Sequence, residues 1–233
     1  MPEVIIITGS RKGLGKELCV YYLEKKNIVI GCSRGPSAID DPNYTHYELD
    51  VADERQVVKM VKEVSRKFSR IDILINNAGI ASMNHMLLTP LETVQNIFNT
   101  NYFGTFLFCR EVAKVMVRKK YGRIVNFTTV ATPLRLEGEI AYANSKAAIE
   151  NFTEIAAREL AEFNITVNAV GPTPIPTDLI KNVSREKMDA LINRQAIRRF
   201  GTFEDLVNVI NFFIDKKSDF ITGQILYLGG VNK

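Results

Sequence analysis

The sequence predicts a doubly wound α/β fold: one domain over residues 1–233, built on a seven-stranded, mostly parallel sheet with helices on both faces. Three observations predict it. Short β-branched runs alternate with longer stretches of helical periodicity from end to end. A glycine-rich turn directly joins the first strand to the first helix, and no linker, repeat or low-complexity stretch divides the chain. Alternation of this kind favours parallel strands, each returning through a helix that covers one face of the sheet.

The elements follow in order. Residues 4–8, VIIIT, read as a strand, and apolar residues at helical spacing make 14–26 the first helix. Strands at 28–32 and 45–49 precede a helix at 54–68. A strand at 71–76 leads to one long helix at 91–119, and a strand at 123–127 leads to a helix at 142–163. The sixth strand is 165–170 and the last is 224–228, with a helix at 203–216 between them that Thr202 and Asp205 are placed to cap. One segment breaks the rhythm: residues 178–199, DLIKNVSREKMDALINRQAIRR, are charged and helix-prone. Inserted at the carboxyl edge of such a sheet, they are read as a substrate lid, with a plain surface helix as the alternative.

Composition narrows the function classes. A chain of 233 residues with 46% apolar and 24% charged residues suits a globular protein that buries roughly 70–75% of its unfolded surface. The net charge is only +4, and the densest basic run, Arg118-Lys119-Lys120, falls where a helix ends and its dipole favours cations. No stacking aromatics are interleaved with it, so no nucleic-acid partner is expected. Cys19, Cys32 and Cys109 form no CxxC pair and are expected to be reduced thiols, which points to a cytoplasmic protein. The start, Met1-Pro2-Glu3, does not resemble a signal peptide, and no apolar run is long enough to span a membrane. No metal is expected.

The turn TGSRKGLG carries the first functional signal. Its stretch Gly9-Ser10-Arg11-Lys12-Gly13-Leu14-Gly15 lets the backbone approach a pyrophosphate, and the helix that follows presents free N–H groups to it. This is a Rossmann-type dinucleotide turn. The second strand ends in Cys32-Ser33-Arg34, where an NAD binder places Asp or Glu for the ribose hydroxyls. A hydroxyl and a guanidinium stand there instead. With Lys12 they suit a 2′-phosphate, so the expected cofactor is NADPH/NADP+.

The second signal is GEIAYANSKAA, in which Tyr142 stands four residues ahead of Lys146 on a predicted helix. Residues so spaced share one face. Spacing alone is a weak sign, because Tyr21/Lys25 and Tyr22/Lys26 repeat it in an ordinary amphipathic helix.

Taken together, these motifs resemble those of the short-chain dehydrogenase/reductase family over nearly the whole chain. TGSRKGLG resembles its TGxxxGxG, Asn76-Asn77-Ala78-Gly79 its NNAG, and Tyr142 to Lys146 its YxxxK. Leu49-Asp50-Val51 is similar to the stretch touching adenine, Asn101-Tyr102-Phe103-Gly104 to the motif with the active-site asparagine, and DFITGQILYLGG to the C-terminal strand region. The length and glycine spacing are those of the single-domain branch. Among its members the 3-oxoacyl-carrier-protein reductases are the most similar in tone. The basic residue many of them use to dock the carrier has no equivalent in Ala161-Glu162-Phe163-Asn164.

The resemblance implies a catalytic set. Tyr142 would be the general acid for a ketone or 3-oxoacyl carbonyl, and Lys146 would lower the phenol's pKa from about 10 while holding the nicotinamide ribose. Thr129 would hold the carbonyl oxygen, and Asn101 would keep a water in line. It also implies cofactor contacts from Gly9 to Gly15, Ser33, Arg34, Asp50, Val51, Asn77, Ala78, Gly79, Tyr142, Lys146, Ile175 and Thr177, and a homodimer or homotetramer formed through helices 91–119 and 142–163.

Two positions depart from the family. Thr129 replaces the usual serine thirteen residues ahead of the tyrosine, adding a methyl and a stiffer first torsion. Pro172-Thr173 stands where Pro-Gly is common, removing conformational freedom beside the nicotinamide. They support the alternative reading, an NADP(H)-binding sensor or regulatory protein with little catalysis. The substrate-choosing residues are expected in 81–88, 131–139 and the lid segment.

Overall fold

A computed structural model describes residues 2–177 and 183–232. The seven strands are β1 (Val4–Thr8), β2 (Ile28–Ser33), β3 (Tyr44–Glu48), β4 (Ile73–Asn76), β5 (Gly122–Phe127), β6 (Ile165–Gly171) and β7 (Ile225–Tyr227). They form one sheet in the order β3-β2-β1-β4-β5-β6-β7. Every ladder is parallel, where the sequence reading expected a mostly parallel sheet. The strands β1, β4, β5 and β6 are buried on both faces, which is why they read as largely aliphatic runs.

The helices are α1 (Gly13–Glu24), α2 (Glu54–Phe68), α3 (Leu91–Phe98), α4 (Gly104–Lys119), α5 (Ala131–Leu134), α6 (Ile140–Leu160), α7 (Arg185–Asn193) and α8 (Phe203–Ile214). Successive residues of a strand point to opposite faces, and β1 shows the division. Val4 and Ile6 join α2, α4 and the end of α6 in one core, while Ile5 and Ile7 pack with α1 and α8 in the other. Full burial of each such isoleucine contributes about 1.5–3 kcal/mol. Cys19, Cys32 and Cys109 are free and buried in these layers.

Three expectations need correction. The long helix at 91–119 is broken by a π-helical turn, Asn99–Phe103, whose extra residue turns Asn101 inward. Gly104 then seats α4 against Val51, since a Cβ there would stand 2.7 Å from Val51 Cγ2. The strand expected at 71–76 starts at Ile73, because Asp72 turns its carboxylate to the Val4 N–H at 2.8 Å and to Arg70 at 2.6 Å. The short helix α5 was not foreseen.

Other readings hold. Thr202 and Asp205 form a reciprocal capping box at α8, and Arg199 grips Asp205 through two bonds of 2.6 and 2.9 Å. Within residues 178–199, α7 is a helix capped by Ser184, and residues 178–182 lie outside the described residues. Among the described residues no helix is long and apolar enough to cross a membrane.

Since all strands run the same way, their carboxyl ends share one edge. Strand order reverses between β1 and β4, and a crevice opens outside their ends.

Candidate active site

The glycine turn leaves β1 at this crevice. Gly9 and Gly13 take left-handed φ of +70° and +56°, which glycine adopts without a Cβ penalty. A Cβ on Gly15 would clash with Gly9 O and Asn77 Nδ2, whereas one on Gly13 would meet nothing within 4 Å. The turn is therefore tight inside and open outside. Ser10 is buried beneath it, accepting from the Tyr44 hydroxyl at 3.2 Å, and Gly9 N–H donates to Cys32 O at 2.9 Å. Arg11 and Lys12 are exposed, and Leu14 packs into the core.

At the end of β2, Ser33 Oγ donates to Gly35 O at 2.8 Å and sits 3.1 Å from His46 Nε2. His46 Nδ1 is 2.9 Å from the Tyr44 hydroxyl, and its Nε2 is 2.9 Å from Gly35 O. A ring donating from Nε2 satisfies the Gly35 carbonyl. Arg34 is exposed beside this network. Asp50 accepts from Ala52 N–H at 2.9 Å, closing its own turn, and Val51 is buried.

From β4, Asn77 Nδ2 donates to Thr8 O at 2.9 Å and Ala78 N–H donates to Thr8 Oγ1 at 3.0 Å, tying this loop to the glycine turn. Gly79 stands next to the catalytic candidates: a Cβ on it would lie 3.4 Å from Asn101 Oδ1 and 3.5 Å from Lys146 Nζ.

Asn101 is fully buried and fully engaged. Its Oδ1 accepts from Ile80 N–H at 2.8 Å, and its Nδ2 donates to Ile80 O and Ser145 Oγ, each at 2.9 Å. Both protons of its side-chain amide are thus given to protein partners. Ser145 in turn donates to Tyr142 O at 2.7 Å.

Tyr142 and Lys146 share one face of α6. Lys146, 4% exposed, donates to Phe127 O at 2.8 Å, and its ammonium lies 6.0 Å from the Tyr142 ring centroid. Burial brings its pKa down to about 8. Burial likewise pushes the Tyr142 phenol up to about 12; a hydrogen bond with Thr129 opposes the rise and Glu139 adds to it. The expected lowering of the phenol is thus reversed, because both groups lose water together and each is driven toward its neutral form. Thr129, buried at the end of β5, also accepts from Ala131 N–H at 3.2 Å.

After β6, Ile175 is buried in the core beside α8 and Thr177 is half-buried. Thr173 takes no left-handed φ, so the missing glycine leaves no backbone strain. It is buried, and a Cβ on Gly201 would stand 2.7 Å from its Oγ1.

The decoy pairs separate cleanly. Lys25 lies 4.7 Å over the Tyr21 ring, and the Tyr21 and Tyr22 hydroxyls both bond Asn211, away from the crevice.

Sequence reasoning missed Tyr44, His46 and Ser145, and held Glu139 only as the last residue of the substrate-choosing stretch 131–139. Ser145 was legible as the residue before Lys146, three after Tyr142; Glu139 was legible at three and seven residues ahead of the pair.

A family profile described as enoyl-(acyl carrier protein) reductase matches residues 14–232. The chain belongs to the short-chain dehydrogenase/reductase family. Among curated members of this oxidoreductase family, the 3-oxoacyl-(acyl-carrier-protein) reductase FabG of Buchnera aphidicola is 34% identical, with 98% of this chain and 96% of the relative covered. That of Synechocystis is 32% identical over 98% and 96%. Among solved structures, ElxO with NADP bound has a TM-score of 0.90 and 31% identity, covering 99% of this chain and 98% of that one. The ligand-free aldohexose dehydrogenase of Thermoplasma acidophilum has a TM-score of 0.89 and 25% identity over 99% and 94%.

Proposed function

We propose that this member of the family is an NADPH-dependent reductase of a ketone or 3-oxoacyl-type carbonyl. One observation carries the reading: Tyr142 and Lys146 share a face of α6 beside Gly79, while Asn77 and Ala78 tie that loop to the open glycine turn. NADP and NADPH in the titles of the ElxO structures, and the names of the reductase relatives, support it.

The residues present fit the cofactor. Gly9, Gly13 and Gly15 leave room for a pyrophosphate at the start of α1, Arg34 and Lys12 suit a 2′-phosphate, and Asp50, Val51, Ile175 and Thr177 flank the rest. Reduced nicotinamide, when bound, supplies the hydride to the carbonyl carbon. Thr129 and Tyr142 hold the carbonyl oxygen, and the neutral phenol gives it the proton. Lys146, anchored by Phe127 O, places a positive charge beside the phenolate left behind. Asn101 is a positioning residue, locking Ile80 and Ser145 around the pair. The helix α7 is the lid of this reading: Lys187 Nζ reaches Met83 Sδ at 3.3 Å and Arg194 donates to Leu134 O at 2.7 Å. The apolar groove between α4 and α6, about 460 Å³ and lined by Phe106, Phe152 and Leu160, is the surface through which it would dimerise.

The test is Tyr142→Phe assayed over a ketone panel. NADPH oxidation should fall about 10²- to 10⁴-fold with NADPH affinity nearly unchanged. Retained turnover removes Tyr142 as the acid. NADPH binding by the wild type without turnover of any ketone favours the sensor reading.

A further inference from the structure

We infer that Glu139 sets substrate specificity: its carboxyl binds a hydrogen-bond donor, a hydroxyl or amide N–H, carried one or two bonds from the carbonyl being reduced. The inference rests on the reductase reading above and names its substrate class.

The first argument is placement. Glu139 immediately precedes α6, three residues before Tyr142 and seven before Lys146, so the three share one face. The second is what the side chain does not do. Glu139 makes no side-chain cap bond to the first-turn amides of α6. It is turned inward at 9% exposure, and Oε2 is buried with no hydrogen-bond partner among the described residues. Among the described residues no ion pair compensates it, although the Lys187 ammonium is near enough to be felt.

An acid buried without a partner is costly, and the cost persists here. Burial raises the carboxyl to about 7, with Lys187 only partly opposing the rise. The backbone keeps it in place. Gly138 takes a φ of +82°, its carbonyl accepts from Asn84 N–H at 2.9 Å, and a Cβ on it would be 3.2 Å from Met83 Cγ. Glu139 also lines a cavity of about 730 Å³ with His85, Arg135 and Asn144, on the face of α6 next to the one that carries Tyr142 and Lys146.

A plain ketone leaves Oε2 unpaired, whereas a ligand hydroxyl or N–H satisfies it. Sites holding a buried polar group discriminate strongly against analogues that cannot bond it.

The test compares matched pairs with increasing chain length in NADPH-coupled assays. A hydroxyketone is set against the ketone with a methylene in place of the hydroxyl oxygen, and a 2-oxoamide against the 2-oxoester that lacks the N–H. Wild type should favour the donor-bearing member by at least about tenfold in kcat/KM, chiefly through KM. Glu139→Leu should bring that ratio to about one, and Glu139→Gln, which keeps an acceptor oxygen, should retain most of it. Which pair shows the preference identifies the donor as hydroxyl or amide.

A ratio unchanged in Glu139→Leu, with both members reduced or both slowed together, overturns the assignment and leaves the reductase reading standing. If wild type reduces no member of any pair, the reductase reading fails and this assignment with it.

Discussion

The Lys146 ammonium donates to the carbonyl oxygen of Phe127 across 2.8 Å, at the end of the strand that leads to Thr129. This bond fixes the cation in a buried place where its pKa has dropped to about 8. Reduction needs the ammonium charged and the phenol protonated; the phenol, at about 12, stays protonated throughout the working range. Reductive kcat/KM is therefore expected to be level below pH 8 and to fall about tenfold per pH unit above it. A rate profile from pH 6 to 10 at constant ionic strength checks this, and a level profile up to pH 10 contradicts it.

Arg34 and Lys12 should govern the choice of dinucleotide. Each charge-assisted bond to a 2′-phosphate is expected to contribute about 1.5–3 kcal/mol. Arg34→Ala should weaken NADPH binding about tenfold or more while NADH binding changes little. Fluorescence titrations with both dinucleotides provide the measurement, and equal losses for the two would contradict the assignment.

The bond from Asn101 to Ser145 is buried, so removing one partner strands the other. Ser145→Ala should cost about 1–3 kcal/mol of folding stability, read by denaturant unfolding. Reductase activity should fall as well, since Ser145 also bonds the Tyr142 carbonyl.

Glu139 should make stability depend on pH. Below pH 4.5 both folded and unfolded chains carry its proton and nothing is lost. Between 4.5 and about 7 the unfolded chain releases that proton while the folded one keeps it, so stability falls as pH rises. Above 7 the loss is complete, about 3 kcal/mol. Tyr142 and Lys187 face this group, and His85, Arg135 and Glu137 line the cavity beside it. Glu139→Gln should thus be more stable than wild type at pH 8 and equal to it at pH 4. Urea unfolding at the two pH values tests this, and an unchanged difference would contradict it.

Much of this was legible in the sequence because the sheet is parallel and doubly covered. Burial on both faces demands aliphatic runs such as Val4–Thr8 and Ile165–Gly171, and these declare themselves without alignment. The break in the helix at 91–119 was not legible. Its cause is tertiary, the bonds of Asn101 to Ile80, and local propensity carries no trace of them. In α5, the sequence ATPL contains a proline that argues against a helix. The phenol's direction was misread because spacing puts charges near one another but does not say how much water both lose. Glu139 was legible only as one residue of the stretch 131–139, since an acid ahead of a helix has an ordinary explanation and its burial depends on the packing around it.

The strand order also bears on how the chain is made. β1 sits between β2 and β4, so the isoleucines of residues 5–7 wait for a neighbour that emerges almost seventy residues later. At ribosomal speeds of about 5–20 residues per second, that exposes a sticky segment for several seconds. Lower growth temperature or added chaperone should raise the recovered yield of this protein.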